Sequence, residues 1–156
     1  MRVHICAVGR LRTGPERALF DDYLTRFDRT GRAHGLGPAT LHEVEDKKGG
    51  GMAAEALLLD RVIPQGAVLV VLDERGKLLS SPDFADTMAG WRDAGRSDLA
   101  LVIGGADGIA PELRARADFA LSFGRMVWPH MLVRVMLSEQ LYRAASILAG
   151  SPYHRV

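Results

Sequence analysis

Three short runs in this chain are apolar at nearly every position: VHICAV (Val3–Val8), AVLVVL (Ala67–Leu72) and LALVI (Leu99–Ile103). A strand with no polar face cannot lie at a surface, so each belongs inside a sheet covered on both sides. Helix-length segments fill the intervals, at Pro15–Arg29, Met52–Val62, Ser81–Ala94, Pro111–Ala117 and Pro129–Ala149. ATLHEV (Ala39–Val44) and FALSF (Phe119–Phe123) fit two further strands. This alternation predicts an α/β fold, a mostly parallel sheet covered by helices on both faces. With 156 residues, no internal repeat and no linker, residues 1–156 read as a single domain.

Several classes of function drop out early. Cys6 is the only cysteine, which excludes an internal disulfide and points to a reducing, cytoplasmic setting; its apolar neighbours predict a buried small hydrophobe. Nothing approaches a membrane span, and MRVHICAVGR is too short and interrupted for a signal peptide. His4, His34, His42, His130 and His154 show no metal-ligand spacing, so no metal is expected. Ser80 and Ser81 lack the strand–turn–helix setting of a hydrolase nucleophile, and no Walker A loop is present. Two glycine-rich stretches, Gly31–Gly37 and Asp46–Gly51, are expected to be mobile; the second, with Lys47 and Lys48, reads as a solvated connection.

Charge is uneven. Residues 125–156 carry Arg125, Arg134, Arg143 and Arg155 against Glu139 alone, while the preceding residues are slightly acidic. The C-terminal part is therefore a candidate surface for phosphate or another anion.

The chemistry gathers where strands end. In open α/β sheets ligands bind beyond the carboxyl ends of strands. Here the runs at 67–72, 99–103 and 119–123 lead into DERGK (Asp73–Lys77), GGADG (Gly104–Gly108) and GRMVWPH (Gly124–His130). Gly104 and Gly105 allow close backbone approach, and Gly108 allows positive φ. The spacing differs from the dinucleotide fingerprint. Two readings stand: a nucleoside-type ligand held by backbone and apolar groups, or three tight turns.

The last helix is apolar around its circumference, since Met131, Val133, Val135, Met136, Leu137, Leu141, Tyr142 and Leu148 share no single face. Such a helix must be buried on more than one side, and the second side is expected to meet another copy in a two-fold dimer. Pro129 is placed at its first position and Gly150 at its exit, with Glu139 and Arg143 as an i,i+4 ion pair. Beyond it, SPYHRV (Ser151–Val156) concentrates Tyr153, His154 and Arg155. In a dimer this tail could complete the other protomer's crevice.

The stretches AVGR, LDERGK with SSPDFA, VIGGADG, Pro129–Val135, EQLYRA and PYHR, in this order and spacing, make the whole chain resemble the bacterial large-subunit ribosomal RNA methyltransferases of the SPOUT superfamily. The resemblance implies a C-terminal trefoil knot, which general rules of chain topology would not suggest. It also implies a homodimer, S-adenosylmethionine as methyl donor, and methylation of N3 of a pseudouridine in 23S rRNA within the assembled ribosome, with neither membrane nor DNA as a partner. The implied donor pocket comprises Leu72, Gly104, Phe123, Gly124, Arg125, Met126, Val127 and Trp128, with Ile103 adding apolar contact. Val127 and Trp128 depart from the family's threonine–leucine pattern, replacing a hydroxyl and adding an indole. On the acceptor side, His154 is the implied base, Arg155 a stabiliser of anionic charge or a phosphate contact, and Tyr153 a stacking platform. His130 and Arg134 form a second candidate pair, with capping, packing or carboxylate binding as their structural alternatives. The rival functions are a non-catalytic RNA- or ribosome-binding module of the same fold and a SPOUT methyltransferase acting on tRNA.

Overall fold

A computed structural model describes residues 1–155 of the chain. Its strands are β1 (Arg2–Val8), β2 (Ala39–Val44), β3 (Val68–Leu78), β4 (Asp98–Ile103) and β5 (Phe119–Ser122). Its α-helices are α1 (Pro15–Gly31), α2 (Gly51–Val62), α3 (Ser81–Asp93), α4 (Pro111–Arg116) and α5 (His130–Leu148). The strands form one sheet in the order β2-β1-β4-β3-β5, every pairing parallel. All five carboxyl ends therefore lie along one edge.

The doubly apolar runs divide as their alternation requires. Val3, Ile5 and Ala7 of β1 face one layer with Phe20, Phe27, Leu137 and Leu141, whereas Cys6 and Val8 face the other with Leu59 and Leu113. Thus α1, α3 and α5 cover one face of the sheet and α2 and α4 the other. Burial pushes the Cys6 thiol up to about 12, which fits a packing role.

Three details differ from expectation. First, β3 continues through the polar stretch to Leu78, with a register shift against β5 between Leu72 and Lys77. Gly76 permits the return, because a Cβ there would lie 2.6 Å from the Ala120 carbonyl. Second, Pro129 is the cap before α5 rather than its first residue; its carbonyl accepts from the Val133 N–H at 3.0 Å. Third, the Gly31–Gly37 stretch is tied down: it contains a 3-10 turn over Arg32–His34, buries Leu36, and His34 accepts from Arg92 at 2.7 Å. In the other glycine-rich stretch Asp46 accepts from the backbone of Lys48 and Gly50, leaving both lysines exposed.

At the opposite edge, Asp98 accepts from Arg2 at 3.0 Å and from His4 Nε2 at 2.8 Å. The Arg2 bond first, then that of His4, holds the Asp98 carboxyl below the usual carboxylate range. His4 Nδ1 in turn lies 3.1 Å from His42 Nε2, within hydrogen-bond distance. Because the folded pKa of Asp98 lies below its unfolded value of about 3.9, its stabilisation is complete above that pH and is lost as pH falls through the folded value. Urea unfolding at pH 7 and pH 3 should therefore show a smaller acid loss for Asp98→Asn than for the wild type. An equal loss would assign the acid sensitivity to other carboxylates.

Candidate functional site: a glycine-walled crevice and an anchored tail

The carboxyl ends of β3, β4 and β5 open into a crevice of about 640 Å³. Leu72 through Arg75 form one wall, Ile103 through Ile109 a second, and the segment from Phe123 to His130 a third. Each wall is shaped by backbone. A Cβ on Gly104 would lie 2.5 Å from the Gly108 carbonyl oxygen, so only glycine lets the loop fold back on itself. Gly105 and Gly108 close that loop as a β-bridge, the Gly108 N–H donating to the Gly105 carbonyl at 3.1 Å. Gly108 has φ 84° and Gly124 φ 124°, conformations that L side chains rarely adopt. Ser122 ties two walls together, its hydroxyl lying 3.1 Å from the Glu74 carbonyl and accepting from the Gly124 N–H at 3.1 Å.

Asp73 organises the first wall. It accepts from Arg75 at 3.0 Å and pairs with Arg114 at 3.3 Å. These bonds, that of Arg75 foremost, hold its carboxyl low despite burial. The third wall is open and apolar: Met126 is 73% and Val127 80% exposed, with Trp128 and Leu132 also at the surface.

Seven of the eight expected donor-pocket residues line this crevice: Leu72, Gly104, Phe123, Gly124, Met126, Val127 and Trp128. Arg125 does not. The chain turns at Gly124, and Arg125 is left exposed outside the lining. Of the second candidate pair, His130 lines the crevice. Arg134 instead is fully buried, donating to Glu43 at 2.8 Å and to the carbonyls of Val8 and Gly9 at 2.7 Å each. It clamps the end of β1 to α5. Nothing in the sequence marked Arg134 as buried, because a lone arginine at a helical position ordinarily reads as a surface residue.

The tail folds back on α5. Glu139 pairs with Arg143 at 2.6 Å, as the i,i+4 spacing predicts, and also accepts from the Tyr153 hydroxyl at 2.9 Å. The Tyr153 ring lies 4.6 Å from the Tyr142 ring and 4.8 Å from the Arg143 guanidinium. Burial, followed by the Glu139 carboxylate, raises the phenol above its ordinary range. Arg143 Nη1 approaches His154 Nδ1 at 3.2 Å. A guanidinium has no lone pair to offer, so Nδ1 is the acceptor and the neutral imidazole carries its proton on Nε2. Arg155 is exposed. Arg143 lies thirteen residues beyond His130 on the same helix, about 20 Å along the axis at 1.5 Å per residue. Within the chain, therefore, crevice and tail are held at separate places on α5.

The sheet is parallel and the crevice lies on its carboxyl edge beside the start of α5; the profile of the family described as "Predicted SPOUT methyltransferase" matches residues 1–154. The chain belongs to the SPOUT methyltransferase family. Among its relatives, Ribosomal RNA large subunit methyltransferase H of Ruegeria pomeroyi is 80% identical over 156 residues, covering all of both chains. The protein of the same name from Roseobacter denitrificans is 75% identical over 155 residues, 99% of each chain. A solved structure described as a probable methylase family protein from Haemophilus influenzae shares the fold at 14% identity with a TM-score of 0.51, covering 99% of this chain and 70% of that one. Among the described residues no helix is long and apolar enough to cross a membrane, and no group of three or more His, Cys, Asp or Glu side chains could hold a metal ion.

Proposed function

We propose that this protein transfers the methyl group of S-adenosylmethionine to N3 of a pseudouridine in 23S rRNA on the assembled ribosome, acting as a homodimer in the cytoplasm. The observation that carries this reading is the crevice itself, whose walls are the strand ends and backbone turns that the family resemblance assigns to the donor. The loop that Gly104 allows to fold back on Gly108, with Leu72, Ile103 and Phe123 beside it, suits a nucleoside with an apolar face and polar edges read by backbone groups. The full-length relatives named for large-subunit ribosomal RNA support the substrate.

The bound donor supplies an activated methyl group on a sulfonium. What remains for the chain is orientation and management of the acceptor's charge. An imide nitrogen attacks as its anion, so the site must favour loss of the N3 proton and stabilise the negative charge that spreads onto the flanking carbonyls. His154 enters this scheme differently from the expected base. With Nδ1 occupied by Arg143, the neutral ring presents Nε2–H as a donor to one of those carbonyls, stabilising the anion that forms in small amount at neutral pH. Arg155 adds positive charge or holds a phosphate. Tyr153, engaged by Tyr142 and Arg143, is the post on which these two are mounted. Because its own tail is remote, each crevice takes the tail of the partner protomer, which accounts for the apolar circumference of α5.

The test pairs calorimetry with S-adenosylmethionine and methyl incorporation into assembled ribosomes. Saturable binding with incorporation at a large-subunit pseudouridine supports the reading; binding without incorporation would favour the non-catalytic module, and incorporation into tRNA the rival enzyme. His154→Ala should slow incorporation about 100-fold or more, the usual cost of removing a preorganised donor, and leave donor affinity within about twofold. Unchanged turnover would remove His154 from the mechanism.

A further inference from the structure

Glu55 stands early on α2, and its carboxylate packs against the Gly104–Gly108 loop. A Cβ placed on Gly105 would lie 3.0 Å from Oε1 and 3.1 Å from Oε2 of Glu55, so the carboxylate sits directly against the glycine. Gly105 lines the crevice, and the Glu55 carboxylate packs on that glycine. Oε2 is buried and has no hydrogen-bond partner among the described residues. The contrast with Asp73 is sharp. At the β3 end of the crevice that carboxylate is neutralised by two arginines, whereas the half-buried Glu55 has no cation bonded to its buried Oε2. Its carboxyl lies above the usual range, chiefly through burial and then through repulsion from Asp107 and Asp46, with His130 acting in the opposite sense. Holding a carboxylate oxygen buried without a partner costs free energy, which a positive charge nearby would offset in part.

We propose that Glu55 is the group that reads the positive charge of the methyl donor, favouring the sulfonium form over the neutral thioether left after transfer. This rests on the donor reading given above. Contact through a hydrogen bond is not required: a unit charge across one glycine backbone, in a partly desolvated wall, changes affinity by about tenfold. The charge disappears from sulfur when the methyl group leaves, so the attraction ends at the moment the product must dissociate. Glu55 is then a specificity determinant acting on the bound state, outside the acceptor chemistry.

Calorimetry on the intact protein with three ligands tests this: S-adenosylmethionine, S-adenosylhomocysteine, and sinefungin, which carries an ammonium where the sulfonium stands. Glu55→Gln should weaken S-adenosylmethionine and sinefungin about tenfold each and S-adenosylhomocysteine by less than about twofold. Glu55→Asp, which keeps the charge, should retain most of the wild-type preference. The ratio between ligands is the readout, so general loosening of the loop does not imitate it. Parallel losses for all three ligands, or no change in any, would overturn the proposal while leaving the donor reading intact. A wild-type protein that bound none of the three would overturn the donor reading and this inference with it.

Discussion

Gly104→Val removes binding of the methyl donor, raising the dissociation constant by about 100-fold or more, while far-UV circular dichroism remains that of the wild type. The reason is local. A Cβ at this position would meet the Gly108 carbonyl oxygen at 2.5 Å, its carbon at 2.7 Å and the Ile109 Cδ1 at 3.0 Å. The first two are backbone atoms in a loop closed by the Gly105–Gly108 bridge, so they cannot swing aside as a side chain tip would. Relief requires the loop to open, and the opened loop no longer presents its backbone groups to the crevice. Since the clash is with Cβ, alanine should already lose most of the affinity. The change sits after the last residue of β4, so the sheet can form without it. Calorimetry decides the matter, and a dissociation constant within about threefold of wild type would show that the crevice does not hold the donor at this wall.

The second large effect concerns stability. Arg134→Ala is expected to lower the unfolding free energy by about 3–5 kcal/mol, the cost of removing one partner from a buried ion pair. The guanidinium is fully buried and serves three acceptors at once: Glu43, Val8 and Gly9. Glu43 in turn accepts from the Leu11 N–H at 2.6 Å, so the deletion leaves both the carboxylate and the end of β1 short of donors. Burial depresses the Arg134 pKa and the Glu43 bond opposes it; the group nonetheless remains charged. Arg134→Lys should recover only part of the loss, because one ammonium cannot span the same fork of acceptors. Urea unfolding should show a lower midpoint with the slope unchanged. A loss below about 1 kcal/mol would mean that water replaces the guanidinium, and that the clamp is dispensable for the fold.

Against a total stability of about 5–15 kcal/mol for a domain of this kind, the Arg134 clamp is a large share, and it was invisible in the sequence. What could be read there were the elements whose pattern is forced by burial. Val3–Val8 and Leu99–Ile103 are apolar on both faces because both faces are covered, and β2 was bounded at the same residues that the structure shows. The crevice was legible for a related reason, since glycines at three strand ends have few uses in a sheet other than close approach. Polar segments carry no such signature. The extension of β3 to Leu78 depends on Gly76 fitting against Ala120, a contact between distant segments. Glu55 looked like one acid among the alanines and leucines of a helix, and only its place beside Gly105 gives it meaning. The His4–His42–Asp98 chain likewise arises from strand pairing, which brings together residues far apart in sequence.

The Arg134 clamp has a further consequence, in time rather than space. Its hydrogen bond to Val8 joins groups 126 residues apart, and α1 packs chiefly on α5. β1 is an interior strand of the sheet, and its carboxyl end is finished by a side chain from α5. Folds dominated by such distant pairings close slowly and cooperatively, since the entropy of bringing the ends together is spent before the contacts repay it. Until α5 docks, β1 stays uncapped and one face of the sheet stays uncovered.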